Sequence, residues 1–284
     1  MKWFAKTMLW IFGIILLLWL ILAQSCLKFK QSDVDAKKEF AQQGVALYTA
    51  SMVVNKHHIH YAVTGRDDLP TLFFIHGSPG SWDAFSKYMQ DKDLLQKFRM
   101  VSIDRPGFGQ SDYGNPEHLA VQSDLISPLF KLLDNHQPVF VAGHSLGGPL
   151  VLKLAADNPD VFSAVIVISG SIDPAQEEPE KWRPFLFKTP LNYFVPGAMR
   201  PSNEELWYLK KDLVDLQADL PLVKSDVYFI HGEKDTWVPP ANIAYGKKML
   251  VNAKHIETVI IPGANHFIPW SKFNEIKAVL LTLY

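Results

Sequence analysis

An apolar, strand-like run enters a helix-like run through only five residues, Gly143-His144-Ser145-Leu146-Gly147. The letters before the turn are VFVA, and those after it are GPLVLKLAADNP. A strand that enters a helix this directly must turn sharply, which forces Ser145 into strained backbone angles and needs glycines where strand and helix approach. The segment therefore predicts a serine that projects at a helix N-terminus, where the helix dipole and free N–H groups favour developing negative charge.

Short β-branched and aromatic runs alternate with helical stretches along most of the chain. This alternation predicts an α/β fold in which helices flank a largely parallel sheet. The first two strands have no long helix between them, so we expect them to form an antiparallel hairpin at the sheet edge. The eight predicted strands cover residues 47–54, 58–64, 71–75, 100–103, 139–142, 164–168, 226–230 and 255–261.

Charge and cysteine content exclude several functions. With 28 Lys and Arg against 29 Asp and Glu, the chain has no basic excess for nucleic-acid binding. One cysteine rules out an intrachain disulfide framework and a cysteine-based zinc site. His57, His58 and His60 lack a nearby carboxylate or a third ligand on the same strand face, so we expect no metal site there and no cofactor.

The N-terminus carries an uninterrupted apolar run over residues 8–23, preceded by Lys2 and Lys6. Its 16 residues would reach about 24 Å as a helix, which is shorter than a 30 Å hydrocarbon core and slightly favours a signal peptide over a spanning helix. The sequence before Cys26 resembles a bacterial lipoprotein signal, in which Cys26 would be lipidated; an uncleaved anchor is the alternative.

Both interpretations place the rest of the chain at a membrane, most simply on its periplasmic or extracytoplasmic side. Residues 1–25 are therefore predicted to be a signal peptide or membrane anchor. The polar composition of the following stretch predicts a tether over residues 26–43. One domain is expected over residues 44–284, and the sequence gives no indication of its oligomeric state.

Five blocks in the order of one known family carry a resemblance that covers nearly all of residues 44–284. They are FFIHGSPGSWDAF at 73–85, SIDRPGFGQSD at 102–112, GHSLG at 143–147, FIHGEKDTWVP at 229–239 and IPGANHFIPW at 261–270. With these blocks the chain resembles the α/β-hydrolase fold family, in particular its esterase, C–C-bond hydrolase and perhydrolase branches that use a serine nucleophile. The resemblance implies an eight-stranded, mostly parallel sheet with a short helical cap. A haloalkane dehalogenase or epoxide hydrolase would have Asp at position 145.

The family order of nucleophile, acid and base implies a catalytic triad of Ser145, Asp235 and His266. A serine hydroxyl needs an adjacent base to act as a nucleophile, and that base needs a carboxylate to orient it. Asp173 is a rival acid, because some relatives take their acid from the end of the preceding strand, and Glu233 is a weaker one.

The resemblance also implies an oxyanion hole made by the backbone N–H groups of Leu146 and Ser78. Trp82 and Phe108 follow loops near the site and are candidate walls of the substrate pocket.

A cap insertion is expected at residues 174–222, between the sixth and seventh strands. Its aromatic residues suggest an apolar or aromatic small-molecule substrate; they are Trp182, Phe185, Phe187, Tyr193, Phe194 and Trp207. We therefore predict an esterase. C–C-bond hydrolysis, amidase or peptidase action and perhydrolysis remain open alternatives, as does a membrane-tethered binding protein without activity.

Overall fold

An eight-stranded sheet forms the centre of the protein, of which the computed structural model describes residues 2–25 and 27–284. Each strand lies within two residues of its predicted bounds. The strands are β1 Tyr48–Val54, β2 His57–Thr64, β3 Thr71–Ile75, β4 Arg99–Ile103, β5 Val139–His144, β6 Ala164–Ile168, β7 Asp226–Gly232 and β8 Ile256–Ile261.

The strand order is β1-β2-β4-β3-β5-β6-β7-β8. The predicted hairpin of β1 and β2 is confirmed at one edge, β2 also pairs antiparallel with β4, and all other pairs are parallel. The chain leaves β3 for β4 on one side and reaches β5 on the other. Loops from neighbouring strands diverge at such a switch point, so the carboxyl ends of β3 and β5 form a natural binding crevice.

Helices cover both faces of the sheet. Alternate residues of each strand point to opposite faces, so Phe73 and Ile75 join one core while Leu72 and Phe74 join the other. The helices are α1 Lys2–Ser25, α2 Asp33–Gln42, α3 Ser86–Met89, α4 Lys92–Lys97, α5 Leu119–Leu132, α6 Gly147–Asp157, α7 Arg183–Phe187, α8 Met199–Leu216, α9 Ala241–Met249, α10 Ile268–Ser271 and α11 Phe273–Leu280.

Helix α2 occupies much of the stretch whose composition predicts a tether. The Ser32 side chain caps its N-terminus by accepting a hydrogen bond from the N–H of Asp35. Ala36 and Phe40 are one turn apart and fully buried, and Phe40 packs against Trp82 with ring centroids 6.0 Å apart. This stretch therefore differs from an extended tether, because two apolar residues in a polar segment anchor it to the core.

Helix α1 is longer than the apolar run that suggested it. Its 24 residues extend about 36 Å, because Trp3 to Thr7 and the residues after Ala23 continue the helix. By length and composition, Trp3–Ser25 is long and apolar enough to cross a membrane, and it is almost wholly exposed. Cys26, the candidate lipidation site, lies outside the described residues.

The cap, residues 174–222, consists of short helices between β6 and β7. Besides α7 and α8 it contains 3-10 turns at Pro174–Gln176, Pro190–Phe194 and Leu220–Leu222. Several of the aromatic side chains that suggested an apolar substrate point outward, and the most exposed of them is Phe185, at 65%. These exposed side chains form part of the outer surface of the cap and do not line a substrate pocket.

A buried ion pair joins the cap to the sheet. The guanidinium of Arg105, in the loop after β4, donates two hydrogen bonds of 2.8 Å to the carboxylate of Glu205 in α8. Arg105 is 0% and Glu205 1% exposed. The same guanidinium donates to the carbonyl oxygens of His76 and Gly77, each at 3.0 Å. One side chain therefore connects the cap with the loop after β3.

Removing the Phe40 ring will destabilise the domain. Because Phe40 is fully buried, Phe40→Ala is expected to lower the free energy of unfolding by about 3–5 kcal/mol. Urea denaturation of the full chain in detergent measures this loss, with Val34→Ala, which changes an exposed residue of the same helix, as the control. Equal midpoints for the two variants would show that α2 is not part of the core.

Removing the Glu205 carboxylate will cost more than removing an exposed one. Glu205→Ala leaves the Arg105 charge buried without its partner, so we expect a loss of about 3–5 kcal/mol in the free energy of unfolding. Asp215→Ala is the matched control, since Asp215 forms a solvent-exposed pair with Lys211 on the same helix. Thermal unfolding of both variants makes the comparison, and a Glu205 variant as stable as the control contradicts the coupling.

Candidate active site

Ser145 lies at a sharp turn between β5 and α6, as the sequence predicts. Its φ of 54° is in the left-handed region that residues with a Cβ rarely adopt. The Ser145 N–H donates to the carbonyl of Ile168 at 2.9 Å, and the Ser145 carbonyl accepts from the N–H of Gly148 at 2.9 Å. A Cβ on Gly143 would lie 2.1 Å from the carbonyl oxygen of Gly147, so only glycine allows this close approach of strand and helix.

His266 and Asp235 form a buried hydrogen-bonded pair. His266 Nδ1 lies 2.8 Å from Oδ2 of Asp235, and both residues are 4% exposed. Asp235 Oδ1 accepts from the N–H groups of Trp237 and Val238, at 3.0 and 2.9 Å. These bonds fix the carboxylate, which in turn orients the imidazole.

Hydrogen bonds keep the Asp235 carboxylate of this pair ionised. Burial alone would raise the pKa of Asp235, but hydrogen bonds from His231, His266 and the Val238 N–H outweigh it and hold that pKa below its ordinary value. Asp235 is therefore ionised throughout the pH range in which an imidazole titrates, and a negative charge always faces His266 there.

The two rival acids have other partners. Asp173 caps the 3-10 turn Pro174–Gln176, where its Oδ1 accepts from the N–H of Ala175 at 2.9 Å. Glu233 Oε2 accepts from the N–H of Gly263 at 2.8 Å. Within residues 2–25 and 27–284, Asp235 is the carboxylate paired with His266.

His144, next to Ser145, supports the loop that bears His266. Its Nε2 donates to the carbonyl oxygen of His266 at 3.1 Å, and the two rings lie 4.9 Å apart. Burial, and then the neighbouring His266, lower the pKa of His144 to about 3, so the ring is neutral at neutral pH. His144 therefore supports the His266 loop without carrying charge.

The loop after β3 brings Ser78 and Gly77 to the same edge of the sheet. A Cβ on Gly77 would lie 2.9 Å from the Cβ of Ser145, which shows how closely the two loops approach. His76 holds this loop in place: its Nδ1 donates to the Gly77 carbonyl at 2.7 Å, and its Nε2 accepts from the N–H of Arg105 at 3.0 Å. Complete burial, and then the charge of Arg105, keep the pKa of His76 well below its ordinary value.

A cavity of about 940 Å³ connects these groups. Ser145, Leu146, His266 and Ser78 lie on its floor, and residues of the cap form its roof. The cap residues of this roof include apolar, polar and charged side chains; they are Gln176, Glu177, Glu178, Glu180, Arg183, Met199, Ser202, Leu206 and Leu209.

Trp82 and Phe108, the candidate pocket walls, do not line this cavity. Trp82 is 1% exposed and packs in the core against Phe40. Phe108 is 2% exposed and packs against the ring of His76, 5.5 Å away, and the guanidinium of Arg105. These neighbours hold both side chains inside the domain. The prediction that they form walls of the substrate pocket is therefore wrong, and both pack in the core.

Other aromatic side chains, which the sequence reasoning missed, form the cavity wall. Trp237 stacks on His266 with ring centroids 5.6 Å apart, and Phe267, Trp270 and Phe29 line the same space. Trp237 and Phe267 are within two residues of Asp235 and His266, so their position beside the predicted triad was the available signal. No sequence signal pointed to Phe29, since it belongs to a segment far from the motifs.

Two of the three histidines of the first hairpin, His57 and His60, have acidic partners that the sequence did not indicate. His60 Nδ1 lies 2.9 Å from Oδ2 of the buried Asp104, and His57 Nδ1 lies 3.1 Å from Oδ2 of Asp112. In the described part of the chain, His, Cys, Asp and Glu form no group of three or more that could hold a metal ion.

Comparison with known proteins agrees with this architecture. The family model of the alpha/beta hydrolase fold matches residues 70–194. The chain is 26% identical over 270 residues to a bifunctional esterase/perhydrolase of Acinetobacter calcoaceticus, which covers 78% of this chain and 94% of that protein. It is 31% identical over 117 residues to epoxide hydrolase 1 of Caenorhabditis elegans, covering 40% of this chain and 28% of that protein.

Among solved structures, a membrane phospholipase A described as a bacterial virulence factor has a TM-score of 0.63 at 18% identity, with 100% of this chain and 99% of that chain covered. The chain spans less than two thirds of the length of several curated relatives that it matches. The sheet order, the turn at Ser145 and the match to the family model together show that this chain has the α/β-hydrolase fold.

Proposed function

We propose that this protein is a serine hydrolase that cleaves a carboxylic ester of an apolar or aromatic molecule through an acyl-enzyme. One observation carries the proposal: Ser145, on a strained turn, shares a cavity with a His266 that is already paired with a buried, ionised Asp235. An inactive binding protein would not need a serine on a strained turn in the same cavity as such a pair.

In the first half of the reaction, His266 takes the proton of Ser145 as the oxygen attacks the ester carbonyl. Asp235 stabilises the imidazolium that forms. The backbone N–H groups of Leu146 and Ser78 would donate to the developing oxyanion, and the N-terminus of α6 adds its dipole. His266 then protonates the departing alcohol.

In the second half, His266 activates a water molecule that attacks the acyl group on Ser145. The carboxylic acid leaves, and the serine recovers its proton. Since both oxyanion donors are backbone groups, the side chain of Ser78 is free to serve otherwise, and its Oγ donates to Ser202 of the cap at 2.8 Å.

Apolar and aromatic side chains around Ser145 support the proposed substrate class. Trp237 and Phe267 contact the ring of His266, and Trp270, Leu206 and Leu209 line the same cavity. The same groups would serve C–C-bond hydrolysis or amide cleavage, which differ in the leaving group, and perhydrolysis, in which hydrogen peroxide replaces water as the acceptor of the acyl group. An epoxide hydrolase is a less suitable comparison, because that chemistry would have Asp at position 145.

We also propose that α1 anchors the protein in a membrane without being removed. Its last turn makes specific contacts with the cap: the Gly197 N–H donates to the Ala23 carbonyl at 2.7 Å, and Gln24 Nε2 donates to the Tyr193 carbonyl at 2.8 Å. A cleavable signal peptide gains nothing from such contacts. Lipidation of Cys26 after cleavage remains the alternative.

Replacing the nucleophile tests the reaction. Ser145→Ala is expected to lower kcat for p-nitrophenyl esters by about 10⁴-fold or more, since it removes the hydroxyl assigned to form the acyl-enzyme. The assay compares esters of increasing acyl length, and Ser163→Ala, an exposed serine before β6, is the control. If wild type cleaves a small amide or a diketone but no ester, the bond class is wrong; if it cleaves none of them, the protein is not this hydrolase.

Replacing the acid distinguishes the two aspartates. Asp235→Asn removes the charge that stabilises the imidazolium, so we expect kcat to fall by roughly 10³–10⁴-fold. Asp173→Asn should change kcat little, because the Asp173 side chain bonds the N–H of Ala175 and is not paired with His266. Steady-state kinetics of both variants decide the assignment, and near-normal turnover in Asp235→Asn would remove it from the triad.

A further inference from the structure

The cap exposes a group of large apolar side chains to the outside. Phe185 is 65% exposed, Tyr193 54% and Trp182 51%. Leu191 and Phe194 complete this group, which we call the cap face, and α7 packs against the Pro190–Phe194 turn that carries them. None of the five lines the cavity, so the cap face is available for something outside the domain.

The cap face adjoins the end of α1. The indole N–H of Trp19 donates to the Phe194 carbonyl at 2.9 Å, and Gln24 Nε2 donates to the carbonyls of Tyr193 and Val195 at 2.8 and 3.0 Å. Trp19 and Gln24 flank the last turn of the apolar part of α1. Tryptophan is enriched at the level of lipid headgroups, so a spanning α1 holds the cap face at the membrane surface.

The cavity begins close to the same point. Phe29, on the cavity wall, follows the end of α1 at Ser25 by four residues. A chain advances at most about 3.6 Å per residue, so Phe29 lies within about 14 Å of the end of α1. A fatty acyl chain in the adjacent leaflet is longer than that gap.

Two exposed lysines adjoin the cap face along the chain: Lys181 precedes Trp182, and Lys188 follows α7. Of the nearby acidic residues, Glu180 is paired with Arg183, while Glu178 is exposed. Exposed lysines beside aromatic residues suit the negatively charged headgroups of a phospholipid surface.

We propose that the cap face lies on the bilayer and that the cavity takes an acyl ester of a glycerolipid directly from the membrane. This inference rests on the proposed ester hydrolysis and names its substrate class. Ser145 would take the acyl group from the lipid oxygen, which leaves as an alcohol with the proton from His266. Water would then release the fatty acid and restore the serine.

The test uses the full chain reconstituted into vesicles of phosphatidylethanolamine and phosphatidylglycerol. One substrate is phosphatidylglycerol with a labelled acyl chain in the vesicle, and the other is soluble p-nitrophenyl butyrate. A variant that combines Phe185→Ser and Tyr193→Ser is expected to cleave the lipid roughly tenfold more slowly, because it loses apolar area buried in the interface, and to cleave the soluble ester at the wild-type rate.

The matched control combines Leu132→Ser and Val251→Ser, two exposed apolar residues at the amino ends of the strands, away from the cap. The control variant should cleave both substrates like wild type. Equal lipid cleavage by the cap-face variant and the control would overturn the inference, as would a wild type that cleaves the soluble ester but not the lipid; the proposed hydrolase survives both results.

A second readout does not depend on catalysis. Phe185 or Leu132 is replaced by p-benzoylphenylalanine, and the vesicles, with labelled acyl chains, are irradiated. Crosslinking of lipid at position 185 and not at 132 supports docking of the cap face, and crosslinking at neither overturns it. If wild type cleaves neither ester, the proposed hydrolysis fails and the lipid substrate with it, whatever the crosslinks show.

Discussion

The left-handed backbone at Ser145 is the constraint on which the site depends. A residue with a Cβ in this region costs about 1–3 kcal/mol, so its surroundings must hold it there. Hydrogen bonds to Ile168 and from Gly148 fix the turn, and Gly143 lets β5 and α6 meet without a clash. Because of this turn, Ser145 lies at the carboxyl edge of the sheet, where the loops after β3, β7 and β8 converge.

Buried polar side chains hold the loops around Ser145 in place. Arg105 joins the carbonyls of His76 and Gly77 to Glu205 of the cap, while His144 supports the His266 loop. Each of these groups would be costly to bury alone, and each has its partners. The roof of the cavity and the loop bearing Ser78 are thereby held by one side chain.

Local signals in the sequence predicted much of this arrangement. The strands follow from β-branched runs between turns, and the turn at Ser145 follows from five contiguous residues. Burial depends on partners far along the chain, which a single sequence does not display. Phe40 sits in a polar segment yet is buried, Trp82 is core instead of a pocket wall, and Phe185 faces outward although it suggested a pocket. Phe29 lines the cavity although it lies far along the chain from the motifs.

The N-terminal helix and the cap therefore belong to one arrangement, in which the sheet edge that bears Ser145, the roof of its cavity and a membrane-length helix are contiguous. The most direct test of its chemistry is to react the full chain with a fluorophosphonate and locate the adduct by peptide mass spectrometry. The adduct is expected on the oxygen of Ser145, with slower formation in Asp235→Asn. An adduct on another residue, or none on the wild-type protein, would contradict the role assigned to the Ser145 turn.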